Sequence, residues 1–452
     1  MSVELGEREN KGLKLLYKRT FLSSFGSGFI SPFIPIYAAQ LSASPTEIGL
    51  VQAINNVSPG IAQIPWGFII DKVRRRVIFL SLGGLFFASI LLLLPLVNTI
   101  TEFIITILLA YLLSAMAVPA LNSLIGDFST SYGRGKIIAN LNAMVSLGSI
   151  PATILSGLII YEVGGAAREM YRIPLALCFI FHLAASITAL KIKEERFSIE
   201  TFSARDWVKA LGANPFFRRF CLLSVLQGFS LGLPWSLFTL TVVKVVEANM
   251  FQISLLSVVS SSTAVVMRRF TGRLADRAGR KPLIVLSRTG LFLIPLVYAL
   301  ARSIYDLILG NFISGMIVAA SDVALSAYLL DISPRNMRGS YTSLYNAVSG
   351  LFTFIGSTFG GYLLDSLIAA GFSFYESMTI AYIIAIIIRI VSGALYITIK
   401  EPYKYPAKFE DELKQIFKEE VEVIERRISD YRRIEDEDLE WFERLSGMGS
   451  KG

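Results

Sequence analysis

The apolar residues of this sequence come in blocks of about twenty, long enough to cross a bilayer as a helix, with few charges inside each block. A backbone in lipid must satisfy its own hydrogen bonds, so such blocks fold as membrane-spanning helices. Twelve can be read, near 20–40, 47–70, 77–97, 102–126, 137–161, 173–191, 217–243, 250–271, 282–301, 304–330, 339–364 and 376–399. The expected fold class is an all-α membrane protein with twelve transmembrane helices. Charged residues make up 17 % of the chain, against roughly 25 % in soluble proteins. A soluble enzyme, a secreted domain and a nucleic-acid-binding module are excluded, despite a formal net charge of +8. Cys178 and Cys221 both lie in apolar blocks and His182 is the single histidine. Neither a disulfide framework, a metal site nor a histidine dyad is on offer, and no enzyme is expected.

Charge fixes the expected orientation. Cytoplasmic loops collect Lys and Arg. With the N-terminus inside, 28 of the 33 basic residues before position 401 fall on the cytoplasmic side. They include Lys72–Arg76, Arg134 with Lys136, Lys191–Arg219, Arg268–Arg288, Arg335 with Arg338, and Lys400. The outer loops hold four, Arg168, Arg172, Lys244 and Arg302, and Arg389 alone is left inside a span. Both termini are therefore expected in the cytoplasm of a multi-pass protein of the cell membrane. Residues 1–19 are polar and basic and carry no sign of a cleavable signal.

The chain divides into a cytoplasmic N-terminus (1–19), a six-helix half (20–191), a basic linker (192–216), a second half (217–400) and a tail (401–452). The tail carries 10 Lys/Arg and 15 Asp/Glu. Phe409, Leu413, Phe417, Ile424, Ile428 and Tyr431 recur in it at helical spacing. That pattern predicts an amphipathic helix resting on the protein or membrane surface, or binding a partner.

The two halves repeat. Gly67 and Asp71 recur as Gly272 and Asp276, and Glu47-Ile48 as Gln252-Ile253, at an offset of 205. Asp127 recurs as Asp331, Arg134-Gly135 as Arg338-Gly339, Asn142 as Asn346 and Gly157 as Gly361, at 204. Six spans separate corresponding points, so the halves share one orientation. They should be related by a pseudo-twofold axis along the membrane normal, with a binding site near the midplane between them.

The fullest motif is Gly272-Arg-Leu-Ala-Asp276-Arg-Ala-Gly279-Arg280-Lys281, and its weaker copy is Gly67-Phe-Ile-Ile-Asp71-Lys-Val-Arg74-Arg75-Arg76. Small residues let helices approach closely in membranes. An acid after a helix C-terminus opposes the helix dipole and needs a cationic partner. Arg75 and Arg280 follow the acids by four residues, and Asp127 and Asp331 end spans four and ten at the same face. With its twelve spans and duplicated half, the sequence here resembles the major facilitator superfamily over about residues 15–400. Arg74 departs from the family's usual glycine. The resemblance implies a secondary active transporter working by alternating access on a small-molecule substrate, as a monomer. It also implies that Gly67, Asp71, Arg75, Asp127, Arg134, Gly272, Asp276, Gly279, Arg280, Asp331 and Arg338 latch the halves on the cytoplasmic side when the carrier opens outward.

Ionisable groups within a span are costly and are functional candidates. Asp322 precedes Asp331 by nine residues, about 13 Å of helix. Arg389 precedes Lys400 by eleven, roughly 16 Å, so the two could share a depth. They read as a static ion pair, or Asp322 as a proton or substrate site. His182 reads as a hydrogen-bonded packing residue or a proton relay, and Arg288 can snorkel to the headgroups. Gln52, Asn55, Asn56, Asn122, Gln227 and Asn311 are uncharged candidates for the cavity. Phe25, Phe29, Phe33 and Tyr37 form a stripe on the first span, and the seventh carries Phe229, Pro234, Trp235 and Phe238. Such a stripe serves packing, lipid contact or a cavity wall. Phe29, Phe33, Tyr37 and Trp235 are candidates for the last.

No sugar-porter signature follows the tenth span. The first half, with Pro32, Pro35, Tyr37 and Ile48-Gly49, resembles the twelve-span drug:proton antiporters. Tyr111 stands where those proteins usually carry a proton-coupling arginine, and Gly148, Pro151 and Gly157 form a loose version of their glycine-proline motif. Efflux of amphipathic compounds is the first expectation, with a proton gradient as driving force and no cofactor. A nutrient or metabolite permease is the alternative, which a cavity of Asn and Ser rather than aromatics would favour. A transporter-fold sensor or a membrane enzyme is remote.

Overall fold

The computed structural model describes residues 2–57, 62–73, 75–128, 134–193, 212, 214–334, 338–401, 409, 411–416, 418–419 and 421–422. Eleven helices among them are long and apolar enough to span a bilayer: Lys11–Gln40, Arg76–Leu96, Ile100–Ile125, Ile137–Val163, Ala167–Leu190, Pro215–Val245, Met250–Ala278, Arg280–Leu300, Ile304–Ile332, Tyr341–Ala369 and Phe374–Thr398. The second span in chain order is represented by Pro45–Val57 and Gln63–Val73, on either side of residues 58–61, which lie outside the described set. The fold is therefore the all-α, twelve-span architecture expected.

Several spans are broken where the sequence removes a backbone donor. Pro32 and Pro35 open new helical segments in the first span, where the missing N–H costs nothing. The seventh span stops at Gly232 and resumes at Trp235 after Pro234. The ninth stops at Gly290 and resumes at Leu293. Spans eight, ten and twelve start with reciprocal capping boxes, Asn249/Gln252, Ser303/Asp306 and Ser373/Glu376. Each box satisfies two orphan donors at a helix N-terminus.

The spans run alternately between a basic face, which carries Arg75, Arg280 and Lys400, and an opposite face, which carries the three capping boxes. Across the halves, the second span packs on the eleventh and the eighth on the fifth. These two pairings exchange under the six-span repeat. At Gly361 an added Cβ would lie 2.2 Å from the Pro45 carbonyl oxygen, and at Gly157 it would lie 2.4 Å from Ser254 Oγ. Only glycine permits these approaches, and both are near the opposite face.

The buried apolar residues form three clusters. One joins both halves near the opposite face and includes Phe33, Tyr37, Ile54, Tyr171, Leu237, Leu256 and Leu364. The other two lie at the basic face, one confined to each half. Among the described residues, the halves thus share a buried apolar core at the opposite face and none at the basic one. Outward-facing apolar side chains such as Leu222, Leu286 and Ile387 are exposed, as a lipid-facing surface requires. Phe409 and Leu413 of the tail pack on the basic-face cluster of the second half, and Ile416 is fully buried in it. Phe417, Ile424, Ile428 and Tyr431 of the predicted stripe lie outside the described side chains.

Candidate functional site

At the basic face the eighth span ends at Ala278, and Gly279 turns the chain with φ +94° into the ninth. A side chain is strained there, so the glycine is dictated by the backbone. Arg280 then ties three spans together. It meets Asp276 at 3.1 Å and Asp331 at 3.1 Å, and donates to the Ala275 carbonyl. The Glu401 carboxylate accepts from the amides of Arg280 (3.3 Å) and Lys281 (2.8 Å), an acid at the positive end of a helix. The cationic partner that Asp276 needs is therefore Arg280. Asp276 remains 75 % exposed.

A Cβ on Gly67 or Gly272 would meet nothing within 4 Å. Among the described residues, the close helix approach expected at these glycines when the carrier opens outward is not made in this conformation. Arg75 is exposed. The side chains of Asp71, Asp127, Arg134 and Arg338 lie outside the described set.

The ionisable groups inside the spans do not pair as their depths suggested. Asp322 meets Arg268 of the eighth span at 3.4 Å, the side chains being 55 % and 40 % exposed. Burying either charge in lipid is prohibitive, so that exposure places the pair on the wall of the space between the halves. Arg268 lies eight residues before Asp276, about 12 Å into the helix. That spacing was available in the sequence, but the residue reads there as part of a basic loop.

Arg389 instead donates to three backbone carbonyls: Nε to Ser230 (3.1 Å), Nη2 to Leu231 (3.1 Å) and Nη1 to Leu291 (2.9 Å). These carbonyls flank the breaks in spans seven and nine: those of Ser230 and Leu231 precede Pro234, which has no N–H to give, and that of Leu291 otherwise receives only a long 3.4 Å bond from the Ile294 amide. Phe238 adds its ring 5.8 Å from the guanidinium. Arg389 is a bolt for two broken helices, and in this structure it does not pair with Asp322. Arg288, expected to snorkel, is buried, with Tyr345 Oη at 3.4 Å and the Tyr396 ring at 5.8 Å. His182 shares a 3.0 Å hydrogen bond with Ser27 and packs its ring on Phe87.

The aromatic stripe is core, not cavity wall. Phe29 and Phe33 are buried, and Tyr37 stacks on Tyr171 at 4.3 Å with its edge toward Phe103. Gln227 is buried against Ser230 at 3.2 Å. Asn311 donates to Tyr298 Oη (2.8 Å) and the Leu307 carbonyl (2.9 Å). Both amides serve local packing. Gln52 reaches across the halves to Thr239 at 3.4 Å. Asn55 and Trp235 are half-buried, Asn122 is exposed, and the side chain of Asn56 lies outside the described set.

Sequence reasoning passed over a cavity of about 170 Å³ between spans one, five and eight, with hydroxyls from Ser27, Ser31, Ser149, Thr153, Ser257 and Ser261 on its wall. Ser261 is the counterpart of Asn56 at the 205-residue repeat offset. Sequence reasoning also passed over Asp365, which lies one residue beyond the expected end of the eleventh span. Asp365 accepts from the Thr46 amide at 2.9 Å and from its hydroxyl.

The two halves thus pack through two pairs of spans that exchange under the internal repeat. The family model described as the Major Facilitator Superfamily matches residues 20–304 and 220–433. The chain belongs to the major facilitator superfamily. It is similar to an uncharacterized MFS-type transporter of Methanocaldococcus jannaschii, 24 % identical over 375 residues, covering 79 % of this chain and 92 % of the relative. It is also similar to multidrug resistance protein 1 of Bacillus subtilis, 25 % identical over 398 residues, covering 84 % and 97 %. Among solved structures, a D-xylose–proton symporter aligns with TM-score 0.68 at 15 % identity, covering 86 % of this chain and 98 % of that one. A bacterial homologue of the lysosomal transporter Spinster, inward-facing and unoccupied, aligns with TM-score 0.66 at 15 % identity, covering 88 % and 99 %. This major facilitator protein is a membrane transporter and not an enzyme.

Proposed function

We propose that this transporter exports small amphipathic compounds, that its termini are cytoplasmic, and that the conformation described here is inward-open. The observation that carries the reading is the Arg268–Asp322 pair. It is a single 3.4 Å contact between two half-exposed side chains at membrane depth, reachable from the basic face. A cationic substrate arriving from that side competes with Arg268 for Asp322 and is released on the other side. A proton taken up by Asp322 there and given up at the basic face restores the pair, so that substrate leaving is exchanged for a proton entering and no cofactor beyond the proton gradient is required. The similarity to a multidrug resistance protein supports this direction.

Reconstitution into proteoliposomes tests it. Amphipathic cations should move toward the face away from the termini, faster under an imposed proton gradient, and Asp322→Asn should abolish the acceleration. Gradient-independent import would overturn the export reading.

The hydroxyl-lined cavity favours the second reading, a permease for a small polar metabolite. Its uncharged wall, where Ser27 and Thr153 are held by His182 and the Gly28 carbonyl but Ser31, Ser149, Ser257 and Ser261 add further hydroxyls, suits a small neutral solute. Uptake of such a solute, with no flux of amphipathic cations, would select it.

A further inference from the structure

Where the seventh span begins and the twelfth ends, a cavity of about 220 Å³ opens between Pro215, Phe216, Arg219, Tyr328, Ile399 and Lys400. Its two cations are exposed and its floor, Tyr328 and Ile399, is buried. Arg219 donates through Nε to Thr398 Oγ1 at 3.2 Å, which orients the guanidinium and leaves its two outer nitrogens for a ligand. Tyr328 donates to the Lys400 carbonyl at 2.9 Å, pinning the backbone that carries the ammonium. Among the described residues, neither cation has an acidic partner within 4 Å. The neighbouring Glu401 is committed to the amides of Arg280 and Lys281.

The surroundings continue the pattern. Phe216 is 41 % exposed beside the cations. One helical turn deeper, on the same two spans, Leu222 is 66 % exposed and Ile397 58 %. Cations at headgroup level, an aromatic step and bare aliphatic surface below follow the profile of a phospholipid. A soluble anion would have no use for the lower two levels. Basic pockets between spans at a membrane face are suited to anionic headgroups.

We propose that this cavity binds the phosphate of an anionic phospholipid from the leaflet at the basic face. The phosphate sits between Arg219 and Lys400, and the chains lie over Leu222 and Ile397. The site lies outside the space between the halves and is independent of what the protein transports.

The test is thermal unfolding of the full-length protein in neutral detergent, titrated with phosphatidylglycerol, phosphatidylcholine or inorganic phosphate. Phosphatidylglycerol alone should raise the midpoint. Arg219→Gln with Lys400→Gln should weaken that response roughly thirtyfold in lipid concentration. Lys191→Gln with Lys193→Gln removes two cations from the same face of the other half and should leave the response intact. If the first double variant is too unstable to titrate, Lys400→Gln alone should weaken the response about fivefold. An undiminished response in the Arg219/Lys400 variants would overturn the proposal. So would an equal loss in the Lys191/Lys193 variant, which marks general surface charge, or an equal midpoint shift with inorganic phosphate, which marks a free-anion site.

Discussion

Asp365, on the eleventh span, accepts hydrogen bonds from both the amide and the hydroxyl of Thr46, the second residue of the helix that opens the second span. One carboxylate thus caps the N-terminus of a helix in the other half, where the dipole favours an anion. Ser357 adds a 2.7 Å bond to the Gly49 carbonyl one turn away. The other copy of this junction pairs Gly157 with Ser254 and Met250. The seal at the opposite face therefore has a charged clasp on one side only.

Removing that clasp should favour opening. Hydrogen bonds to a charged acceptor contribute about 1.5–3 kcal/mol, so Asp365→Ala should shift the two access states by roughly ten- to a hundredfold. Spin labels at Glu169→Cys and Tyr305→Cys, exposed at that face of each half, would report the separation. An unchanged distance distribution would refute the clasp.

Arg389→Leu should strand the Ser230 and Leu231 carbonyls and leave Leu291 with only its long bond from Ile294. With about 1–3 kcal/mol for each unsatisfied buried group, the loss should reach at least about 2 kcal/mol. Arg389→Lys should recover only part of it, since an ammonium lacks the planar fork that reaches three acceptors. Midpoints of thermal unfolding in detergent measure both. Asp322→Asn combined with Arg389→Leu should be additive, because the two residues share no partner.

Asp322→Asn by itself should leave stability nearly unchanged, as exposed ion pairs contribute about 0–1 kcal/mol. Transport should nevertheless fall. Arg268→Gln should alter substrate preference, because Asp322 then faces the open space without its competitor. A stable variant with wild-type flux would remove the pair from the transport path.

The tail should be released by acid. Arg277 holds Glu419 at 2.9 Å and Glu412 at 3.8 Å. Its hydrogen bond keeps the Glu419 carboxyl below the ordinary glutamate range. A depressed acid contributes binding that is full above its free pKa and lost as pH falls through the lowered value. Protease sensitivity of the tail should therefore rise as pH drops below the ordinary glutamate range. Arg277→Glu should produce the same sensitivity at neutral pH.

The spans, the repeat and the basic loops were legible because a bilayer imposes block length, and duplication leaves fixed offsets such as Gly67/Gly272. The partnership of Asp276 with Arg280 was legible too, being four residues along one chain. Arg389 was not. Depth along a helix gives one coordinate, and the angle around it decides whether Arg389 meets Asp322 or the carbonyls of Ser230 and Leu231. The stripe through Phe29, Phe33 and Tyr37 stayed open between packing and cavity wall for the same reason, since spacing defines a face but not what it faces. Asp365 and Thr46 lie 319 positions apart, and no local pattern links them.

The apolar cluster that crosses both halves exists at one face only. On the alternating-access reading proposed above, it gives the carrier a preferred idle posture, because opening at this face must wet Phe33, Tyr37 and Leu237. An empty protein would then dwell with its mouth toward the side where its termini lie. Cargo must repay the wetting of that cluster, and compounds that cannot do so would enter and leave by the same door.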